Sequence, residues 1–442
     1  MDKISFMDNI KMANRWVFQK KALLEFPYSS YVSIREFQLK QIRQLLSDAI
    51  QFVPYYRHRY SKLHIYPDDI KSFLDFEKIP TISKSDLVGN ELAFIDERYK
   101  GQRLIKSKTS GTSGVFADIY CDPDMFVIEE LQVIRMIKEL YPNFNPLSKE
   151  VLVYTSEYPV SSILGFYRAY YVNNLHPARY ILDFIRNVKP SVLAIYPSIL
   201  REIVNTFDDI DFADLRLKLI LTNSEQSLQS ERNYWAGIFK CQVIDEFSSE
   251  EVQSIAYQCE HMSYHEVSDC SYIELLHSNN DKSVALGEVG EITGTCFINR
   301  AMPLIRYRQG DFAMRDTNHC ICGKCTPVIG VPMGRINSSF VTANGEIIPS
   351  GRLLDWSYSL VLNKNYSIRE FQIVQETCED VNIFLVSPFL TDLDLRFIEH
   401  DFIYTFGNVF HVRASKVNMI KRTSSGKHIP IYSKISPSLQ RN

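Results

Sequence analysis

The sequence predicts an α/β protein: a large N-terminal α/β domain with an antiparallel β subdomain, followed by a small mobile C-terminal α+β lid. Three observations predict this class. Between residues 151 and 246, apolar strand-like runs alternate with helical segments, which is typical of parallel α/β units. Past Ser271 the segments become short and rich in strand formers. Beyond Arg335 the order is strand, strand, helix, strand, which suits a separate small unit.

Size and composition are those of an ordinary globular protein. The chain has 442 residues, 45% hydrophobic and 23% charged, with a net charge of −3, which favours two domains. No basic stripe is present, so we expect no nucleic-acid partner. The first residues lack the pattern of a secretory signal, and no apolar run is long enough to span a bilayer. We therefore expect a cytoplasmic protein with no membrane partner.

The helical and strand segments follow from periodicity and end signals. Apolar residues spaced for one face predict a helix over residues 34–60, with a break at Pro54. Asp122 and Pro123 form an N-cap and first-turn pair that begins a helix reaching about Tyr141. The alternating region then gives strands over 151–155, 191–196, 217–222 and 242–246, with helices over 178–187 and 227–239.

The later segments define the subdomain and the lid. Strands over 271–276 and 291–298 indicate the antiparallel part. A boundary just after Gly334 and Arg335 divides the chain into residues 1–335 and 336–442. The second unit contains strands over 369–374 and 381–386, a helix over 392–406 and a strand from Phe410.

One short loop, residues 108–114 with the sequence KTSGTSG, has the composition of an anion-binding turn. Its two glycines let the backbone turn tightly, and its small hydroxyl residues supply donors. The loop is not a Walker loop, because that motif needs Gly-x4-Gly-Lys-Ser/Thr opening onto a helix, whereas a strand follows here. A hydroxyl-rich hairpin turn remains the alternative.

Six ordered stretches carry a resemblance to a known family. They are TSGTSG (109–114), YPS (196–198), TNSEQ (222–226), DEFSSEE (245–251), PLIRYRQGD (303–311) followed by GR (334–335), and RTSSGK (422–427). With these motifs the chain resembles the adenylate-forming superfamily, and within it the phenylacetate–CoA ligase branch that includes the CapK-like proteins. The resemblance implies ATP-dependent activation of a small carboxylic acid to an acyl-adenylate with release of pyrophosphate. Transfer to a thiol, most simply coenzyme A, would follow.

The resemblance also implies a set of nucleotide-binding residues. The loop would cradle the β- and γ-phosphates, residues 224–226 would line the adenine pocket, Phe247 would stack on adenine, and Asp311 would accept hydrogen bonds from the ribose. Another reading of residues 224–226 is a strand-to-helix loop in which Ser227 caps the next helix. The full set is Ser110, Gly111, Thr112, Ser113, Gly114, Ser224, Glu225, Gln226, Asp245, Glu246, Phe247, Ser248, Asp311 and Arg335.

Two residues are implied to act in catalysis. Glu251 would hold Mg²⁺ through carboxylate oxygen, with Glu250 left open as the alternative ligand. Lys427 would neutralise the charge that develops between the carboxylate and the α-phosphate. Asn337 stands at the hinge position, where an Asn tolerates unusual backbone angles. An ordinary role stays open for Arg306 and Arg308, of which at least one should pair only with acids.

A second cluster suggests a structural zinc. Thiolates and one imidazole in a cytosolic protein fit a tetrahedral site. The order Cys, His, Cys-x-Cys also resembles the site that some members of this branch carry. The candidates are Cys259, His265, Cys320 and Cys322, with Cys325 as a substitute for Cys322.

The sequence leaves several alternatives open. In one alternative an amine takes the place of coenzyme A as the acceptor, and the enzyme is an amide ligase of surface-polysaccharide or secondary-metabolite biosynthesis. A non-catalytic nucleotide-binding protein is a further alternative. The sequence decides neither the identity of the acid substrate nor whether the chain forms a homodimer. The aromatic residues at 154–158 and Tyr196 are candidates for the wall of the acid pocket.

Overall fold

The fold is described here from a computed structural model, which covers residues 3–109, 116–207, 212–316, 320–333, 339–348, 350–362, 365–421 and 428–435. The helices are α1 Phe6–Glu25, α2 Tyr31–Phe52, α3 Pro54–Lys62, α4 Phe73–Phe76, α5 Lys84–Leu87, α6 Pro123–Leu140, α7 Ala178–Val188, α8 Pro197–Thr206, α9 Gln229–Phe239, α10 Ser350–Leu362 and α11 Asp392–Phe406.

The strands are numbered in chain order, from the first hairpin to the C-terminal unit. They are β1 Ile105–Lys108, β2 Asp118–Cys121, β3 Lys149–Tyr154, β4 Arg168–Asn173, β5 Val192–Ile195, β6 Leu219–Asn223, β7 Gln242–Ser249, β8 Gln253–Gln258, β9 Tyr264–Glu266, β10 Ser271–Leu276, β11 Val289–Cys296, β12 Tyr307–Met314, β13 Val328–Ile329, β14 Phe340–Val341, β15 Ile347–Ile348, β16 Glu370–Gln375, β17 Asp380–Val386, β18 His411–Lys416 and β19 Ile431–Ser433.

An eight-stranded sheet forms the centre of the N-terminal part, in the order β13-β9-β8-β7-β6-β5-β3-β4. The strands from β4 to β7 pair in parallel, and those from β7 to β13 pair antiparallel. Helices cover both faces: α7, α8 and α9 pack on one, and α6 with the N-terminal helices packs on the other. This architecture confirms the α/β class.

The antiparallel subdomain is also present. Strands β10, β11 and β12 form a three-stranded antiparallel sheet, and β1 pairs with β2 in a separate hairpin. The hairpin joins the core through the buried side chains of Ile105, Ala117, Ile119 and Cys121.

The C-terminal unit has its own sheet and its own core. Its four strands lie in the order β18-β17-β16-β19. Its core is built from apolar side chains of residues from Phe340 onward, including those of α10 and α11. Helix α11 has the predicted bounds because Thr391 and Asp394 form a capping box at its start. At its end the backbone turns at Gly407, where φ is 97°.

The break predicted at Pro54 is confirmed: Val53 leaves the helical region before the proline and ends α2, and α3 begins at Pro54. One local prediction differs from the structure. The N-cap of α9 is Leu228, so the prediction that Ser227 caps this helix is wrong. The Ser227 hydroxyl instead accepts a hydrogen bond of 2.7 Å from Arg232. Helix α8 and strand β4 were not predicted.

Among the residues that the structure describes, we find no helix that combines the length and the apolar character needed to cross a membrane.

Candidate active site

The hairpin β1–β2 holds the two ends of the hydroxyl-glycine loop together. Thr109 N donates to Ala117 O at 3.0 Å, and Ala117 N donates to the Thr109 hydroxyl at the same distance. Both flanking residues are buried. The loop residues Ser110, Gly111, Thr112, Ser113 and Gly114 lie outside the described residues, so the structure fixes where the loop starts and ends.

The YPS and TNSEQ stretches meet at one carboxylate. Strand β6 ends at Asn223, and Ser224 follows in the left-handed region with φ of 64°. This turn directs Glu225 toward the first turn of α8, where Ser198 N and Ser198 Oγ donate to its carboxylate at 2.9 and 3.0 Å. A carboxylate at a helix N-terminus is also favoured by the helix dipole. Gln226 extends toward Pro332 O at 3.4 Å.

Strand β7 carries the DEFSSEE stretch into the same region. Asp245 is buried, and its carboxylate accepts hydrogen bonds from the Thr222 hydroxyl at 2.6 Å and the Tyr264 hydroxyl at 2.7 Å. Burial raises the pKa of Asp245. Its two oxygens are therefore used inside the fold. Phe247 and Ser248 are half-buried, and a bulge separates them in the pairing with β8.

The two candidate magnesium ligands lie in the turn between β7 and β8 and differ in their surroundings. Glu251 is buried and accepts a hydrogen bond of 3.0 Å from the hydroxyl of Tyr307, the first residue of β12. Glu250 is half-buried, and its charge contributes to raising the pKa of Tyr196. Asp311 is half-buried on β12. The DEFSSEE and PLIRYRQGD stretches are thus joined through Tyr307.

Both arginines of the PLIRYRQGD stretch serve the fold. Arg306 is fully buried and forms a bidentate ion pair with Glu274, at 3.0 and 2.9 Å. Arg308 contacts Asp281 at 2.9 Å and also pairs with Glu291. Both therefore pair with acids as expected, but neither does only that, because Arg306 also donates to Glu77 O and Arg308 to His277 O.

The C-terminal unit contacts the candidate site at two points. Tyr358 on α10 accepts a hydrogen bond of 2.6 Å from Arg201 on α8, which is itself paired with Glu231 on α9 at 2.6 and 3.0 Å. All three side chains are buried. His428 N donates to the Glu225 carboxylate at 3.0 Å. Gly334, Arg335, Asn337 and Lys427 lie outside the described residues, and His428 directly follows Lys427 in the chain.

A set of polar side chains, which we call the acidic cluster, lies between α6 and the ends of the parallel strands. Sequence reasoning named Tyr154, Tyr158 and Glu246 as candidate site residues but missed Glu129 and Asn223. The Tyr158 hydroxyl donates to Glu129 on α6, and Asn223 Nδ2 donates to the Tyr154 hydroxyl at 2.6 Å. Asn223 also hydrogen bonds to Glu246, and burial raises the pKa of Glu246 to about 7. A signal exists in the sequence: Glu129 interrupts the most apolar part of α6. The acidic cluster is Glu129, Tyr154, Tyr158, Asn223 and Glu246.

The four favoured metal ligands lie together. Ligand atoms of Cys259, His265, Cys320 and Cys322 are all within 4.8 Å of one another. The Cys259 and Cys320 sulfurs are 3.5 Å apart, and Cys322 Sγ is 3.2 Å from His265 Nε2. A tetrahedral zinc with Zn–S bonds of about 2.3 Å needs sulfurs roughly 3.8 Å apart, so the group fits. Cys325 is exposed and outside this set.

The surroundings of His265 also suit a metal. Its Nδ1 is 3.2 Å from the Thr326 hydroxyl, which leaves Nε2 directed at the cysteines. Burial lowers the pKa of His265 to about 4, so the imidazole is neutral as a ligand must be. The cluster can therefore hold a metal ion.

Comparison with known proteins defines the class. Residues 340–434 match the family model of the CapK C-terminal domain. The chain is 23% identical over 350 residues to a phenylacetate–coenzyme A ligase of Pseudomonas putida, covering 75% of this chain and 77% of that protein. A phenylacetate–coenzyme A ligase of Aromatoleum evansii is 23% identical over 302 residues, covering 64% and 67%.

Solved structures share the fold. 2-Hydroxyisobutyryl-CoA ligase in its postadenylation state, in complex with R3-HIB-AMP, superposes with a TM-score of 0.76 at 18% identity, covering 93% of this chain and 92% of that one. The same ligase in its thioesterification state gives 0.60, covering 91% and 90%. The fold is therefore that of the adenylate-forming CoA ligases. The match to the CapK C-terminal domain model falls within the C-terminal unit.

Proposed function

We propose that this chain is an adenylate-forming ligase that activates a carboxylic acid with ATP and transfers the acyl group to a thiol, coenzyme A in the simplest case. The observation that carries the proposal is the meeting at Glu225. Its carboxylate accepts hydrogen bonds from Ser198 in the YPS stretch and from the backbone N–H of His428, the residue that follows the RTSSGK stretch. The YPS and TNSEQ stretches therefore meet the start of the last described segment at one carboxylate.

The geometry supports a distribution of roles. The loop at 110–114 would cradle the β- and γ-phosphates, since its ends are held by the hairpin. Ser224, Glu225 and Gln226 would line adenine on one side and Phe247 would stack on it, while Asp311 on β12 would hold the ribose. We place Asp245 behind this wall, because Thr222 and Tyr264 occupy its oxygens. Glu246 lies on the side of these segments that faces α6.

Lys427 would supply positive charge for the first half-reaction. This assignment is supported by its neighbour in the chain, His428, whose backbone N–H donates to Glu225 in the segment proposed to line adenine. Charge builds on phosphoryl oxygens as the carboxylate attacks the α-phosphate, and a positioned ammonium stabilises it. Arg335 and Asn337, between the two units, would reach the ribose or phosphate and act as the hinge.

Two metals belong to the proposal. Glu251 would hold Mg²⁺ through carboxylate oxygen, with Tyr307 orienting that carboxylate. Glu250 is the alternative ligand. Cys259, His265, Cys320 and Cys322 would hold a structural zinc, since all four places of a tetrahedron are filled by protein atoms.

A test of the proposal begins with pyrophosphate release. Purified protein is incubated with ATP, Mg²⁺ and a panel of aryl and aliphatic acids, and pyrophosphate is measured for each acid. We expect release with at least one acid, together with bound acyl-AMP. If ATP binds but no acid gives pyrophosphate, the chain is a nucleotide-binding protein without turnover.

The acceptor is tested in a second step. Enzyme loaded with acyl-AMP is mixed with coenzyme A, or with an amino sugar or amino acid, and the loss of acyl-AMP is followed by mass spectrometry. Consumption by coenzyme A with formation of a thioester supports the ligase as stated. Consumption only by the amine supports the amide ligase instead, an alternative kept open by the match to the CapK C-terminal domain.

A further inference from the structure

The acidic cluster lies beside the segments proposed to bind the nucleotide. Glu246 immediately precedes Phe247, and Asn223 immediately precedes Ser224. Tyr154 ends β3, and Glu129 faces these strand ends from α6. In parallel α/β sheets, ligands bind outside the carboxyl ends of the strands. The acidic cluster therefore lies at the edge of the sheet where ligands bind, next to the segments proposed to hold the nucleotide.

The cluster has no cationic partner of its own. Among the described residues, no Lys, Arg or His is paired with Glu129 or Glu246. Burial, together with the nearby charges of Glu246 and Glu250, raises the pKa of Glu129 to about 8. Both glutamates keep some accessible surface although they lie deep in the fold. Without a cation this environment favours the protonated form of Glu129, whereas a cation brought to the pair would favour the ionised carboxylates.

A second observation points to a donor ligand. Asn223 is 8% exposed, and its amide nitrogen is bound to Tyr154, so the amide group lies within the cluster. Its oxygen, Oδ1, is buried and has no hydrogen-bond partner in the described part of the chain. Buried acceptors of this kind are normally satisfied. The missing partner must be a donor.

We propose that the acid activated by this chain carries a positively charged amine as well as its carboxylate, with Glu129 and Glu246 binding the ammonium and Asn223 Oδ1 accepting one of its hydrogen bonds. The inference rests on the proposed adenylation function. An ammonium has three donors and no acceptor, which matches three acceptors in one place. A hydroxyl group has one donor and no charge, so it would satisfy fewer of these acceptors and would not favour the ionised carboxylates.

The test compares acids that share a carbon skeleton and differ in the ammonium. The pairs are phenylalanine with 3-phenylpropanoate, and 6-aminohexanoate with hexanoate. Pyrophosphate release gives kcat/KM for each acid. We expect the ammonium acid to be preferred in at least one pair by about tenfold or more, because a site with unpaired polar groups rejects the analogue that lacks their partner. Preference for the deaminated acid in both pairs would overturn the inference.

A variant then assigns the preference to the cluster. Glu129→Gln keeps the shape of the side chain and removes its charge, so the ratio of kcat/KM within the preferred pair should fall by about tenfold. Glu130→Gln is the matched control: the residue is next on α6, is turned about 100° away, and carries a buried carboxyl of the same kind. It should leave the ratio unchanged. An equal fall in both variants would refute the role of Glu129.

The design separates this inference from the proposed function. Pyrophosphate release with the deaminated acids alone leaves adenylation intact and overturns only the assignment of an ammonium-bearing substrate. Absence of release with every acid would refute adenylation and the inference with it. The preference of the wild-type enzyme is measured without any variant, so it decides the question even where a substitution lowers stability.

Discussion

Tyr358→Phe is expected to impair the first half-reaction and spare the second. The hydroxyl of Tyr358 on α10 receives a hydrogen bond of 2.6 Å from the guanidinium of Arg201, across the contact between the C-terminal unit and the N-terminal part. Phe keeps the ring and removes this bond. The same arrangement of the two units holds His428 at Glu225. Weakening it should draw Lys427 away from the nucleotide.

The size of the effect follows from the chemistry of the contact. Arg201 is buried and its charge is balanced by Glu231, so the lost bond is charge-assisted in a dry environment. Bonds to charged groups contribute about 1.5–3 kcal/mol, which corresponds to roughly 10- to 100-fold in the equilibrium between docked and released C-terminal unit. Arg201 keeps both bonds to Glu231 after the substitution, so the N-terminal part should remain folded.

The assay measures the half-reactions separately. Pyrophosphate release reports adenylation, and thioester formation from supplied acyl-AMP and coenzyme A reports transfer. Tyr257→Phe is the control, because its hydroxyl donates to Glu139 at 2.7 Å inside the N-terminal core. That variant should lose stability and keep the ratio of the two rates. If Tyr358→Phe lowers both rates equally, or neither, the contact does not belong to the adenylating arrangement.

The remaining predictions concern the lysine, the metal and one buried acid. Lys427→Ala should lower pyrophosphate release by roughly 10²–10³-fold and leave ATP binding nearly unchanged; undiminished release would remove its catalytic assignment. Elemental analysis should find about one zinc per chain, lost in Cys259→Ser and retained in Cys325→Ser; freshly purified protein without metal would contradict this. Because burial raises the pKa of Glu129 to about 8, the folded state holds a proton that the unfolded state releases above its ordinary pKa. Stability should therefore fall as pH rises from about 5 to 8, less steeply in Glu129→Gln, as thermal unfolding at several pH values would show.

The sequence predicted the elements that have strong local signals. Strands β5 and β6 are buried runs of apolar residues, and α11 carries both end signals, so their bounds were recovered to within about two residues. Strand β4 was missed although residues 169–172 are hydrophobic; it lies at the sheet edge, and only Val172 is fully buried. Helix α8 was hidden because its first turn is the YPS motif, which reads as a loop.

The candidate site residues also divide into those that local motifs predict and those that depend on tertiary packing. Motif order predicts that Glu225, Phe247 and Asp311 surround one nucleotide, and this stays a prediction. It could not place Asp245, whose partners Thr222 and Tyr264 come from two other strands. Glu129 lies on a helix far from every motif, and only packing of α6 against the sheet brings it to Glu246. Contacts between distant segments depend on tertiary packing, which a single sequence does not specify.

The position of Glu225 links nucleotide binding to the position of the C-terminal unit. The residue belongs to the loop proposed to line adenine, and the same carboxylate accepts hydrogen bonds from Ser198 in α8 and from His428 in the C-terminal unit. A nucleotide that fixes this loop also fixes the acceptor that holds His428. By linkage the effect is reciprocal, so the chain should bind ATP more tightly when its C-terminal unit is docked than when that unit is released. Removing the carboxylate in Glu225→Ala should therefore weaken ATP binding and adenylation together, whereas Tyr358→Phe should weaken ATP binding only to the extent that it releases the unit.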